Sequence, residues 1–252
     1  MKYLKKFNTL GSAITWDRTG NNSRVSPITY FIEESGQVLY REYVNMTPND
    51  HDFVDLGLPS GTLWATMNIG ASDPNQAGSY FAWGEIETKN SYTPETYSYH
   101  LEDYPYYTKY NDDDSKIVLD EEDDVAHVLW GGGWHIPTKD QFSELINNTT
   151  ISVEVTNGVS GWKFESGNGS YIFLPLGTGS YSGNYKYWTS TVSPYTSSGA
   201  KQSSWALRNT DSPSSPSSPT SSLNLIERYG GGWIRPVIEP GRFWYNKPII
   251  HK

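Results

Sequence analysis

Hydrophobic positions in this chain fall mostly in short runs cut by glycine, proline, serine and asparagine, and helical spacing is concentrated in one stretch. Residues 125–138 read V-A-H-V-L-W-G-G-G-W-H-I-P-T. Val125, Val128 and Leu129 fall on one face of a short amphipathic helix that runs into Trp130, where three glycines stop it. Glycine enters left-handed conformations freely, so Gly131, Gly132 and Gly133 let Trp130 and Trp134 sit close together. A second helix is predicted directly afterwards. Thr138 is a good N-cap, Gln141 stands where a capping box requires it, and Pro137 with Phe142 fits a hydrophobic staple. Phe142, Leu145 and Ile146 keep helical spacing until Asn147 and Asn148 end the run.

The remaining pattern is one of strands and turns. Residues 28–33 and 38–44 are β-rich runs around Glu34-Ser35-Gly36-Gln37, a loop length that favours a hairpin. Residues 45–52 are polar, which places a boundary there and makes 1–50 a separate N-terminal β segment; a lone hairpin is marginal in water and needs a partner. Residues 53–65, F-V-D-L-G-L-P-S-G-T-L-W-A, read as strand, turn and strand, and A-G-S-Y-F-A-W-G-E follows at 77–85. Residues 91–110 are tyrosine-rich without periodicity and read as an ordered loop packed by its own rings. Short strands are expected at 152–155, 161–165 and 171–176, the first two joined by Asn157-Gly158, a good hairpin signal. A Gly, Ser and Tyr loop at 177–187 leads into Trp188-Thr189-Ser190-Thr191, and another strand is expected at 204–207. Residues 211–222 form a Ser-Pro low-complexity insert unable to build a ladder. Residues 239–252 form a C-terminal tail.

Composition sharpens this picture. Ten Trp, nineteen Tyr and eight Phe in 252 residues supply a substantial core. The formal charge of -9 argues against nucleic acid, whose binding needs clustered Lys and Arg. With no cysteine there is no disulfide, thiolate metal site or thiol nucleophile. No apolar run approaches the roughly 20 residues of a membrane span, and residues 11–18 supply no apolar signal-peptide core, so neither membrane insertion nor an encoded export signal is expected.

Candidate chemistry is sparse. Acids at 112–114 and 120–124 invite calcium, but the first group lacks the spacing of a calcium loop and the second suits the positive start of a helix. His127 and His135, beside Trp130 and Trp134, read as structural histidines rather than zinc ligands or an acid/base pair. Arg235 reads as a buried guanidinium paired with an acid. No nucleophile elbow, H-E-x-x-H or phosphate-binding glycine motif occurs, so no catalytic residue, metal or cofactor is assigned; a glycosidase pair of acids leaves no sequence spacing to look for.

Several stretches coincide with one family pattern. V-D-L-G-L-P-S-G-T-L-W-A at 54–65, Y-F-A-W-G-E at 80–85, L-D-E-E-D-D-V-A at 119–126, W-G-G-G-W-H-I-P-T at 130–138, I-F-L-P at 172–175, Y-W-T-S-T at 187–191 and G-G-W-I-R-P-V at 231–237 resemble, in order, the Fibrobacter succinogenes major paralogous domain of Bacteroidetes and their phages. The resemblance implies a C-type-lectin-like core over 51–238: an α+β, β-dominated and loop-rich fold with two short helices plus the small N-terminal β segment. It also implies a ligand-displaying scaffold, and, by their place in these motifs, that most of Trp64, Trp83, Trp130, Trp134, Trp188 and Trp233 are core rather than rings that stack on sugars. In variable proteins of this fold the diversified residues precede an ending similar to Arg235-Pro236-Val237, which here is the Tyr-, Ser-, Asn- and Thr-rich window 181–235. The Ser-Pro insert departs from that pattern. Within the window Tyr181, Tyr185, Tyr187, Tyr195, Trp205, Arg208 and Asn209 are the expected ligand-facing residues, side chains that give rigid contact area or adaptable hydrogen bonds. L-K-K-F-N at 4–8 and S-P-I-T-Y-F-I-E-E-S-G-Q-V at 26–38 resemble N-terminal segments of Bacteroides phage structural proteins. The expectation is a non-enzymatic, homo-oligomeric phage virion protein that binds a host cell-surface protein or glycan and joins other virion proteins through residues 1–50. A bacterial surface or secreted adhesin is the alternative, and a carbohydrate-active enzyme a third.

Overall fold

A computed structural model of the chain describes residues 51–102, 107–176, 185–193, 203–209 and 223–239, with the backbone of 28–34 and 37–43. The architecture is α+β, β-dominated and rich in loops, as the hydrophobic pattern predicts. Strands β1 (Ile28–Glu34) and β2 (Gln37–Tyr43) pair antiparallel from Ile28↔Tyr43 to Glu34↔Gln37, the expected hairpin.

Three three-stranded sheets carry the rest. Strands β3 (Phe53–Asp55) and β4 (Leu63–Ala65) pair antiparallel, and β11 (Val237–Ile238) covers the other edge of β4. Strands β5 (Thr149–Thr156), β6 (Val159–Ser166) and β7 (Tyr171–Pro175) form a meander. Its first turn has positive φ at both Asn157 (53°) and Gly158 (80°), the backbone that matches strand twist and that Asn-Gly tolerates. The third sheet has the order β10 (Leu223–Glu227), β9 (Ser203–Asn209), β8 (Tyr185–Val192). Strand β10 has no counterpart in the sequence reading, because L-N-L-I-E directly follows the Ser-Pro insert and is too short to show a period. The insert therefore links two antiparallel strands paired from Leu207↔Leu223 onward.

The helical centre matches its capping signals. Helix α1 (Val125–Trp130) starts at Asp124, whose side chain accepts from the backbone N–H groups of Ala126 and His127. The second carboxylate oxygen of Asp124 accepts from Ile136 N at 2.8 Å, so one buried acid ties the helix start to the chain beyond the glycines. Gly131, Gly132 and Gly133 all have positive φ, and Trp130 and Trp134 meet edge to face at 5.3 Å. The His51 ring stacks on Trp130 at 3.7 Å. Helix α2 (Lys139–Asn148) has the Thr138–Gln141 capping box and buries Phe142 and Leu145. One expectation fails here. Val128 and Leu129 are 42 % and 55 % exposed, because the six-residue helix buries Val125, Ala126 and Trp130 instead.

Trp64, Trp83, Trp130, Trp134, Trp188 and Trp233 are all buried. Two clusters share the core: one holds Trp83, Trp130, Trp134 and Trp188, the other Trp64, Phe142, Trp162 and Trp233. In the tyrosine-rich stretch Tyr97 and Tyr107 are buried, with Tyr92 and Tyr99 packed on them. Arg235 is fully buried but has no acid partner among the described residues. Its guanidinium donates to Asn68 Oδ1 (2.7 Å) and to the carbonyls of Ala65, Thr66 and Phe173 (2.8–2.9 Å). Five donors in a planar fork suit converging carbonyls as well as they suit a carboxylate.

Candidate ligand-binding site

Strand β8 reads Y-K-Y-W-T-S-T-V, and its two faces feed different clusters. Successive side chains point to opposite sides of a strand. Tyr185 and Tyr187 accordingly enter the cluster of Trp64 and Trp233, while Trp188 and Val192 enter that of Trp83 and Trp134. Tyr187 donates its hydroxyl to Pro175 O and accepts from Asn68 Nδ2, and Trp188 Nε1 donates to Phe81 O. Burial pushes the Tyr187 hydroxyl well above its usual value.

This geometry corrects two of the expected ligand-facing residues. Tyr185 and Tyr187 are 1 % and 0 % exposed and belong to the core. A strand covered on both faces has no ligand-facing side, and a run of aromatics at both parities is the sequence sign of such a strand. Trp205 is half-buried, with the Lys139 ammonium 4.1 Å from its ring centroid. Arg208 is half-buried on β9, and the backbone of Asn209 ends that strand. Tyr181 and Tyr195 lie outside the described residues.

Register fixes where the neighbouring segments attach. Tyr185 pairs with Asn209, so residues 177–184, which precede β8, and 210–222, which follow β9, join the same end of this sheet. Beside that end lies a cleft of about 530 Å³. Tyr80, Tyr92 and Trp233 give it aromatic walls, and Asn75, Gln76 and Lys89 line its polar side. Tyr80 meets Tyr92 and Trp233 edge to face at 5.2 and 5.3 Å. Leu176, immediately before 177–184, lines the cleft, and Tyr185, immediately after, stacks on Trp233 at 6.3 Å. Sequence reading missed the 75–92 side because its residues come from a different part of the chain.

Two charged groups were also missed. Arg228 is fully buried, donates to the carbonyls of Lys109 and Tyr110, and lies over the rings of Tyr107 and Trp83. Lys186, flanked by two tyrosines, is 8 % exposed. Burial, and then the facing Arg208, push its amine down to about 8, with Glu227 pulling the other way. In the unfolded chain this amine titrates near 10.4, so between the two values the unfolded state holds more protons and stability rises with pH. Below about pH 8 the cost of the buried charge is fully present, of order 3 kcal/mol at most. Lys186→Met is therefore expected to stabilise the fold by about 1–3 kcal/mol at pH 7. The gain should shrink as pH rises from 8 towards 10.5, read by urea unfolding of both proteins; a gain independent of pH would contradict it.

The acidic region is internally satisfied. Asp120, Glu122 and Asp123 offer converging carboxylate oxygens. The Lys109 ammonium sits among them, 3.3 Å from Asp120, 3.1 Å from Glu122 and in contact with Asp123, to which Tyr110 also donates. A side-chain cation thus occupies the place an ion would take. His127 lies 3.7 Å from Glu121. His135 contacts Gly133 O and Glu239. Burial opposes protonation of His135, but Glu239 and the Gly133 carbonyl outweigh it and raise the ring above its usual value. No described helix is long and apolar enough to cross a membrane. Compared with family models, curated proteins and solved structures, the chain has no match.

Proposed function

We propose that this chain is a non-enzymatic ligand-display protein built on a C-type-lectin-like core similar to the Fibrobacter succinogenes major paralogous domain. It is placed on a phage particle through residues 1–50 and binds a host cell-surface protein or glycan. The observation that carries the reading is the β8–β9–β10 sheet: β8 is packed on both faces, and the variable-looking segments 177–184 and 210–222 join it at one end, beside an aromatic cleft. Recognition from a rigid base costs little ordering free energy, and Tyr, Ser and Asn suit it. The binding residues in this reading are Tyr181, Tyr195, Trp205, Arg208 and Asn209, joined by Tyr80 and Tyr92.

Two measurements test it. Binding of the purified protein to Bacteroides cells is compared for wild type, Tyr181→Ala and Asn209→Ala. Each variant at an anchor position is expected to lose about 1–3 kcal/mol of binding at unchanged melting temperature. Unchanged affinity in both moves the face elsewhere. A truncation near Asp52 that keeps His51 is expected to fold and bind but not to join the particle, and its incorporation would remove the attachment role of residues 1–50.

A further inference from the structure

The cleft beside the β8–β9–β10 sheet has aromatic walls that the fold itself holds in place. A Cβ at Gly231 would stand 1.9 Å from the Tyr80 ring, so only glycine there leaves the ring where it is. The same ring meets Tyr92 and Trp233 edge to face, and the Tyr92 hydroxyl donates to the Tyr80 carbonyl. These neighbours fix the rings, and all three still line the cleft. Aromatic walls of fixed orientation give contact area at little entropic cost.

The polar lining carries no net charge. Lys89 is the only charged side chain among the described residues that line the cleft, and its ammonium already pairs with the buried Glu85 and donates to Thr96 O at 2.7 Å. Asn75, Gln76 and Thr88 are neutral. Gln76 Oε1 accepts from Ser72 N (2.9 Å) and Ser72 Oγ (3.0 Å), which anchors the amide and leaves its two N–H donors unused among the described residues. Asn75 Nδ2 donates to Asp73 at 2.9 Å, so its carbonyl oxygen remains an acceptor. The Thr88 hydroxyl can serve either way.

We propose that this cleft binds a neutral pyranose of a surface glycan, with the ring's C–H face on Tyr80 and Tyr92 and its hydroxyls on Gln76, Asn75 and Thr88. A sugar ring pairs an apolar face with edge hydroxyls that both donate and accept, and the cleft offers the complement of each. An anion would find only a cation that is already paired. An apolar side chain would strip water from two amides and a hydroxyl without replacing their hydrogen bonds. The volume of about 530 Å³ falls in the range of small-molecule sites, about 300–1,000 Å³. The proposal deepens the display reading and rests on it only for the glycan's source on a host surface.

The test is calorimetric titration of the full-length protein with the methyl pyranosides of glucose, galactose and mannose, and with glucuronate and N-acetyltyrosinamide. At least one methyl pyranoside is expected to bind more tightly than either comparison compound. Tyr92→Ala is expected to weaken it about tenfold or more and Gln76→Ala about fivefold. Gln76 is exposed, so its truncation keeps the fold and its loss of binding is interpretable even if Tyr92→Ala unfolds. No binding of any of the three pyranosides, or undiminished binding in Gln76→Ala, overturns the site. Glucuronate binding more tightly than the pyranosides overturns the neutral class, and N-acetyltyrosinamide doing so overturns the sugar. Pyranosides that fail to bind, while cell binding persists and is lost in Tyr181→Ala and Asn209→Ala, overturn this proposal alone. Pyranosides that bind as expected uphold it, even where cell binding is unchanged in those two variants and the display reading fails.

Discussion

Replacing Arg235 with methionine is expected to destabilise the fold by about 4 kcal/mol, a large part of what a domain of this size has to lose. The guanidinium joins its own segment to two others far away in sequence: residues 65–68, at and just beyond the end of β4, which supply Ala65, Thr66 and Asn68, and Phe173 in β7. Methionine matches the apolar stem but leaves three buried carbonyls and an amide oxygen without donors, each with a desolvation cost of about 1–3 kcal/mol, softened by local relaxation. Burial pushes the Arg235 guanidinium down to about 10, so the group stays charged at neutral pH. Arg235→Lys keeps a charge but supplies three donors from one point, which cannot reach all four acceptors, and it is expected to rescue the methionine variant only in part. Chemical denaturation of the three proteins measures both effects; an Arg235→Met protein with wild-type stability would show that the junction is dispensable.

Replacing Trp134 with alanine is expected to cost about 3–5 kcal/mol, through the lost transfer free energy of the indole and the cavity left behind. Trp134 is fully buried, and its ring is braced by Trp130 and by His51 at 6.5 Å. The three glycines that bring the indoles together have fixed the backbone around the ring, so the site cannot collapse cheaply into the vacancy. A fall in Tm of roughly 10 °C is expected by differential scanning calorimetry, and an unchanged Tm would refute the structural role of this centre. Trp130→Ala should cost less, because that ring lies at the rim, 8 % exposed.

What the sequence reveals and conceals divides along the range of the interaction. Thr138 with Gln141, the glycines after Trp130 and Asn157-Gly158 act within a few residues, and each produces the local structure that its chemistry demands. The face of α1 is decided by what surrounds it, so the spacing of Val128 and Leu129 misleads. Charges inside the fold are the least legible. Arg235 finds carbonyls from β4 and β7 rather than an acid, and Lys186 in Y-K-Y-W resembles a solvent-facing position until both faces of β8 are seen to be covered. The candidate site shows the same division. The window before Arg235-Pro236-Val237 is visible in the sequence, but the inward turn of Tyr185 and Tyr187 and the cleft wall supplied by Tyr80 and Tyr92 depend on long-range packing.

The pairing of β9 with β10 sets the cost of change in the segment between them. Leu207↔Leu223 pins both ends of that segment in one ladder, whatever the residues in between. Closing a flexible loop costs free energy that grows only with the logarithm of its length, about 0.6 kcal/mol for each doubling. By that measure alone, doubling the length of 210–222 adds about 0.6 kcal/mol of closure cost, because the ladder already holds its two ends together.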